Sequence, residues 1–231
     1  NNLSLPQKIR VGVILECDSV PLNPPMKRII RDAVDKLSKS PLIEIVPLTD
    51  FPSFQYGWEL LHGYFTSDPK NEIMTNLTKS GEKMIKSLIF LVEANNSFKT
   101  PKTFEDFYEL GEARYQVKRH WLKIINDVNL DIILCPGASH TAPKHDTFGN
   151  CPYTGMWNLV DFPSLIIPFG KVDKDIDLDD PSIKYCEGTL QTYDKDVLDG
   201  SPGHIQLVYR TLQDENVLKV GEIIDRVLNK S

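Results

Sequence analysis

Residues 131–169 constrain the fold of this chain more than any other stretch. Two short apolar runs, Ile132-Ile133-Leu134 and Ser164-Leu165-Ile166-Ile167-Pro168, enclose a polar loop and a segment with room for two or three helical turns. Apolar runs of this length bounded by Pro and Gly fit strands buried on both faces. The loop between them carries His140, Thr141, Lys144, His145 and Asp146. In an open α/β sheet, ligands bind in the loops that leave the carboxyl ends of the strands. If the two strands run parallel, this loop is the first place to expect a pocket.

The flanking sequence extends the pattern. Residues 9–15 read as a buried strand. Pro24-Pro25 then opens a helix, because proline is tolerated in a first turn. Met26, Ile29, Ile30, Ala33, Val34 and Leu37 follow at helical spacing, Ser40-Pro41 stops the helix, and 43–46 is the next strand. This is a βαβ unit with an expected right-handed crossover. Residues 53–128 show no strand alternation and read as a helical excursion, with short helices near 73–78 and 84–91. A long helix is capped by Thr103 with Asp106. It carries one apolar stripe through Phe107, Leu110, Val117, Trp121, Ile124 and Val128. A second runs through Phe104, Tyr108, Tyr115, Leu122 and Ile125, so the helix is expected to be covered on more than one side. Five aspartates at 173, 175, 177, 179 and 180 read as a solvated loop. Residues 203–210 form the closing strand, with Ile205, Leu207 and Tyr209 alternating against His204, Gln206 and Val208. Asp214 caps a final helix buried through Val217, Gly221, Ile224 and Leu228. The expectation is an α/β fold in three layers, a mixed and mostly parallel sheet with helices on both faces.

Length and charge exclude several functions. A chain of 231 residues with 41% hydrophobic and 25% charged residues can bury a core. A net charge of −6 argues against a general nucleic-acid binder. No apolar run approaches the ~18 residues that span a bilayer, so no membrane partner is expected. Four scattered cysteines favour reduced thiols and a cytoplasmic setting over a disulfide framework.

Motifs for common chemistries are missing. There is no phosphate loop and no Gly-x-Ser-x-Gly elbow; Gly200-Ser201-Pro202-Gly203 reads as a turn before a strand. Cys135, His140, His145, Asp146 and Cys151 include metal-ligand types, but their spacing matches no zinc pattern. No metal or cofactor is expected. Cys135 ends an apolar run and reads as a small buried hydrophobe rather than a nucleophile. Tyr153, Thr154, Trp157 and Asn158 are the substrate-binding candidates, since aromatic walls with hydroxyl and amide groups make small-molecule sites. Tyr153 and Trp157 suit a core equally well.

Tyr153-Thr-Gly-Met-Trp-Asn-Leu-Val-Asp-Phe-Pro-Ser-Leu-Ile-Ile-Pro168 resembles the later signature of the amidase signature family, in its fungal acetamidase and general amidase branch. Arg10-Val-Gly-Val-Ile14 with Asn23-Pro-Pro, Asp131-Ile-Ile-Leu-Cys-Pro136, Pro143-Lys-His-Asp146, Ile205-Gln-Leu-Val208 and Asp214-Glu215 fall in the family's order. Gly203 and His204 depart from it, standing where the family usually has Val and a small residue. The resemblance implies hydrolysis of carboxylic amides to acid and ammonia or amine by a Ser–cis-Ser–Lys mechanism. The Gly/Ser-rich segment that carries those serines does not occur in this sequence. The expectation is therefore that residues 1–231 are the carboxyl-terminal part of a single amidase domain. No catalytic residue is assigned to this chain. It is expected to be inactive alone, with a small amide as ligand and the amino-terminal half of the same domain as partner. The alternative is a non-catalytic α/β binding or partner module derived from an amidase.

Overall fold

The computed structural model describes residues 8–18, 20–68, 70–86, 89, 100–183 and 193–230. Five strands form one sheet: β1 (Ile9–Val13), β2 (Ile43–Pro47), β3 (Ile132–Cys135), β4 (Ser164–Lys171) and β5 (Pro202–Val208), in the order β2-β1-β3-β5-β4. β1 pairs in parallel with both β2 and β3, whereas β5 is antiparallel to β3 and to β4. Four strands thus point one way and β5 alone is reversed. β3 and β4 run in the same direction, with β5 between them.

Helix α1 (Pro24–Ser38) starts where the sequence placed it. Asn23 accepts a hydrogen bond from the Met26 amide at 3.1 Å, and Pro24 occupies the first turn. Its buried stripe includes Met26, Ile29, Ile30, Ala33 and Leu37. α1 packs against β2, β4 and β5 on one face of the sheet, together with the last helix, α7 (Asp214–Asn229). Close backbone approach sets two residues on this face. A Cβ on Gly203 would lie 2.3 Å from Ile29 of α1, and one on Gly221 would lie 2.3 Å from Leu165 of β4. The other helical group is α2 (Phe54–Phe65), α3 (Glu72–Ser80), α4 (Phe104–Asp127) and α5 (Pro152–Val160). There α2 packs on α4 and α5, and Phe51, Phe54, Trp121, Trp157 and Phe162 form a continuous aromatic cluster. A single-turn helix, α6 (Lys195–Leu198), precedes β5. The helix expected near 84–91 falls largely outside the described residues.

Three expectations change. β4 is not buried on both faces: Ser164, Ile166, Pro168, Gly170 and Lys171 are exposed, and β4 is an edge strand. The second stripe of α4 is bare at its start, with Phe104 88% and Tyr108 70% exposed, and burial falls instead on Leu110, Val117, Trp121 and Ile125. The aspartate loop is not wholly solvated. Asp177 is 3% exposed and takes two hydrogen bonds from the Arg28 guanidinium, both at 2.7 Å. Its Oδ2 also accepts the Asp173 amide. A bidentate carboxylate–guanidinium pair is what allows one aspartate of the five to be buried. No helix among the described residues is long and apolar enough to cross a membrane.

Candidate functional site

At the carboxyl ends of β1 and β3, two loops converge, 14–23 and 136–151. Backbone and side-chain bonds tie them together. The Asn23 amide donates to the Ser139 carbonyl at 2.8 Å. The Tyr153 hydroxyl, on the first turn of α5, donates to the Val20 carbonyl at 2.9 Å and accepts the Cys17 amide at 3.2 Å. Burial drives the Tyr153 phenol far above its ordinary pKa, so it stays protonated and keeps both bonds.

Gly137 opens the longer loop under a tight lid. A Cβ there would lie 2.7 Å from Ile166 and 2.9 Å from the His204 ring. Glycine is needed because the imidazole of β5 and the side chain of β4 press on the loop backbone. His140, two residues after Ala138, is 7% exposed, with Nδ1 2.7 Å from the Thr141 carbonyl and its ring 5.3 Å from Phe148. A carbonyl only accepts, so Nδ1 carries the proton and Nε2 presents a lone pair. Burial holds both rings neutral. His140 is lowered below the usual histidine range, and His204 falls to about 4 through burial and then through His140. Ser139 Oγ, Thr141 Oγ1 and Gln206 Oε1 are buried beside these rings without a partner among the described residues.

The four sequence candidates divide between two places. Tyr153 is fully buried and occupied by the loop contacts above. Trp157, one helical turn on, is 1% exposed and lies in the aromatic cluster, 4.9 Å from Trp121. Thr154 is half-buried and donates to the Cys151 carbonyl at 3.2 Å. Asn158 is exposed and lines a cleft of about 390 Å³ with Trp157, Asp161, Phe162, Pro163, Thr211, Leu212 and Asp214. That cleft lies at the amino end of the parallel strands, where β4 begins and β5 ends. The fold therefore brings Tyr153 and Thr154 to the loop cluster and carries Trp157 and Asn158 away from it. His204 and Gln206 were not among the candidates. Their polar alternation against Ile205 and Leu207 was the signal, since a polar residue on the inner side of a closing strand needs a reason.

Cys135 is fully buried, and burial raises its thiol above the ordinary range, which removes it as a nucleophile. Cys17, Cys135 and Cys151 form no disulfide among the described residues. Among the described residues, no three His, Cys, Asp or Glu side chains converge in an arrangement that could hold a metal.

Comparison with known proteins places this architecture. The sequence model of the amidase family matches residues 1–218. An amidase of Gibberella moniliformis is 29% identical over 94% of this chain, and an acetamidase of Emericella nidulans is 26% identical over 89% of it. The matches span only 39% and 38% of those proteins, so the chain covers about two fifths of the length of these relatives. A fatty acid amide hydrolase structure superimposes on 99% of the chain with a TM-score of 0.88 at 25% identity, again over only 42% of that protein. A crystal structure of an amidase shares the fold at a TM-score of 0.62 and 18% identity. With the five-stranded mixed sheet, the ordered signature segments and the family match in agreement, the chain belongs to the amidase family.

Proposed function

We propose that this chain is the carboxyl-terminal part of an amidase domain. The domain hydrolyses small carboxylic amides to acid and ammonia or amine through a Ser–cis-Ser–Lys triad held by polypeptide outside residues 1–231. The observation that carries this reading is the coverage: the chain is matched over 94% of its length by an amidase of which it spans 39%. The chemistry of the chain agrees. Cys135, fully buried at the end of β3, is held protonated by burial, and the two histidines near the loop have no serine or cysteine nucleophile in hydrogen-bond contact among the described residues. In this reading the first turn of α5, with Tyr153 and Thr154, and the loop 137–146 form one wall of the amide-binding cleft. Trp157 braces that wall from the core and Asn158 lies on its outer side. Helices α2 to α4 are a helical layer inserted into the same domain. The exposed face and free edge of β4 are where the amino-terminal half packs, since unpaired strand edges are normally covered. Cys17, Cys135 and Cys151, which form no disulfide among the described residues, suit a reducing, cytoplasmic compartment.

Three observations test this. The isolated chain should show no amide hydrolysis, and light scattering should show self-association through the open β4 face. The coding sequence upstream of Asn1 should supply a Lys and a Gly/Ser-rich segment. Robust turnover by residues 1–231 that is lost in Cys135→Ala would replace this reading with a cysteine enzyme. A start codon close to Asn1 would favour the non-catalytic module.

A further inference from the structure

We propose that the outer face of α4 is a self-association surface, on which a second copy of this chain lays its own α4 antiparallel to the first. Phe104, Tyr108, Gly111, Tyr115 and Leu122 recur at helical spacing and lie within about 60° of one another around the axis. The buried residues of α4, Leu110, Val117, Trp121 and Ile125, are on the opposite face. The fold leaves the outer stripe bare: Phe104, Tyr108 and Tyr115 are 88%, 70% and 54% exposed. Single exposed apolar residues are ordinary, but an aligned aromatic row marks an interaction site. Gly111 sits in the middle of this row, and a Cβ there would meet nothing within 4 Å. Glycine is a poor helix former, and no neighbour among the described residues requires it at this position. A second helix approaching from outside does, because a missing Cβ lets two backbones come close.

The charges of α4 identify the occupant. Between Phe104 and Glu112 the helix carries Glu105, Asp106, Glu109 and Glu112 and no base; between Arg114 and Lys123 it carries Arg114, Lys118, Arg119 and Lys123 and no acid. The helix dipole favours this order only in the first and last turns, and Glu109, Glu112 and Arg119 lie further in. Arg114 and Lys118 are used within the chain, on the Leu159 carbonyl and beside Asp161. Glu105, Glu109, Arg119 and Lys123 are exposed along one side of the aromatic row. Glu105, Glu109 and Arg119 make no ion pair among the described residues, and Arg119 lies 5.9 Å from the centre of the Tyr115 ring. Reversing one copy about a twofold axis sets the acidic half of each helix against the basic half of the other. Glu105 then comes opposite the partner's Lys123 and Glu109 opposite the partner's Arg119, and each Tyr115 falls within a turn of the partner's Gly111. A parallel pair would lay acid on acid. The helix has 24 residues and is about 36 Å long. One helix pair of this length is small beside the interfaces of obligate dimers, so the association is reversible, with a micromolar Kd. It uses none of β4 and does not depend on the amidase reading.

Carbodiimide cross-linking of the unaltered chain, followed by peptide mapping, tests the geometry. Within one copy Glu105 and Lys123 lie about 27 Å apart along α4, too far for a zero-length link. An amide between them therefore reports the antiparallel pair alone, and its absence from the cross-linked dimer would overturn the proposal. Light scattering on charge-swapped chains tests the cause. Glu105→Lys with Glu109→Lys reverses the acidic half, and Arg119→Glu with Lys123→Glu reverses the basic half. Each variant alone should associate about tenfold more weakly than the unaltered chain, and an equal mixture of the two should recover the loss. Tyr108→Ser with Tyr115→Ser should weaken association without altering charge. All these positions are exposed, so circular dichroism should show the fold retained. Association that both swaps leave unchanged belongs to another surface, such as the β4 edge, and excludes the α4 pair. So does a mixture that fails to recover, or an unaltered chain that stays monomeric at about 100 µM.

Discussion

The two ends of the sheet handle their polar groups in opposite ways. At the carboxyl end, loops 14–23 and 136–151 and strand β5 bury side chains that have no partner among the described residues, among them Ser139, Thr141 and Gln206, beside two imidazoles held neutral. At the amino end, the connections are satisfied by ordinary structural bonds. Thr211 donates to the Asp161 carbonyl at 2.7 Å, the Tyr209 hydroxyl donates to Leu130 at 2.9 Å, and Asn216 reaches the Asp131 carbonyl at 3.3 Å. Unpaired buried polar groups in native structures ask for an explanation, and functional sites are a common one. The difference teaches where to look for a ligand. The carboxyl end gathers unpaired polar side chains beside two imidazoles held neutral, whereas the open amino-end cleft is lined by Asn158, Asp161 and Asp214.

Trp157 is the sharpest way to break this division, because it was a candidate for binding and lies in the core. Trp157→Ala should destabilise the chain by about 3–5 kcal/mol, the cost of deleting a large, fully buried aromatic side chain. Urea unfolding would show it as a lower midpoint at unchanged slope. A loss below about 1 kcal/mol would mean that Trp157 serves a ligand and not the fold.

The Arg28–Asp177 pair comes next. Its Asp177 side chain is 2% exposed and its Arg28 side chain 26% exposed, so the partner left behind would be a buried carboxylate. Arg28→Met should cost about 2–3 kcal/mol, less than a fully enclosed pair because the guanidinium keeps some solvent. Burial alone would raise the Asp177 carboxyl, but Arg28 and the Asp173 amide outweigh it and bring it below the ordinary value. A depressed folded value gives stability that is complete above the unfolded carboxyl value of about 3.9 and is lost as pH falls through the folded one. An acid titration should therefore lose the Asp177 contribution as pH falls below about 4. Arg28→Met should erase this step, read by circular dichroism from pH 5 downward.

Tyr153→Phe probes the carboxyl end with one atom. It removes the donor to Val20 and the acceptor for Cys17 while the ring still fills the core. The expected cost is about 1–2 kcal/mol from two backbone groups left unpaired. Its signature is local: exchange should quicken in residues 14–23 and stay unchanged at the amino end. Equal quickening at both ends would show that the two regions do not act as separate units.

The same division explains what the sequence could reveal. The βαβ unit was legible because Pro24-Pro25, the α1 stripe and the flanking apolar runs agree on one answer. The Thr103–Asp106 capping box formed as its spacing implied. Burial of individual residues was less legible. The run at 164–168 was read as doubly buried, but its own composition could not show that β4 is the last strand of the sheet in this chain. Phe104 and Tyr108 looked like core for the same reason: periodicity marks a face, and only tertiary packing says whether the face has a neighbour. Asp177 was hidden among four solvated aspartates, because its partner Arg28 is 149 residues away. Tyr153, Thr154, Trp157 and Asn158 were grouped by adjacency. Trp157 and Asn158 follow Tyr153 and Thr154 by one helical turn, on the same faces but about 6 Å further along the axis, which is enough to move them from the loop cluster toward the opposite end of the sheet.

The smallest expected effect belongs to Leu212, on the rim of the amino-end cleft. It is 82% exposed and has a φ of 62°, a left-handed conformation that costs a residue with a Cβ of this size roughly 1–2 kcal/mol. Asn tolerates that region through local hydrogen bonding of its short side chain. Almost no buried surface is lost when this side chain is shortened, so nothing opposes the relief. Leu212→Asn should therefore stabilise the chain by about 0.5–1 kcal/mol, seen as a raised urea midpoint. Strained backbone survives where something else requires it, as at ligand clamps and switch regions. If Leu212→Asn is instead neutral or destabilising, the leucine side chain is held by a contact at the rim of the amino-end cleft that offsets its backbone strain. The amino-end cleft would then be a second working surface, and the contrast between the two ends would have to be redrawn.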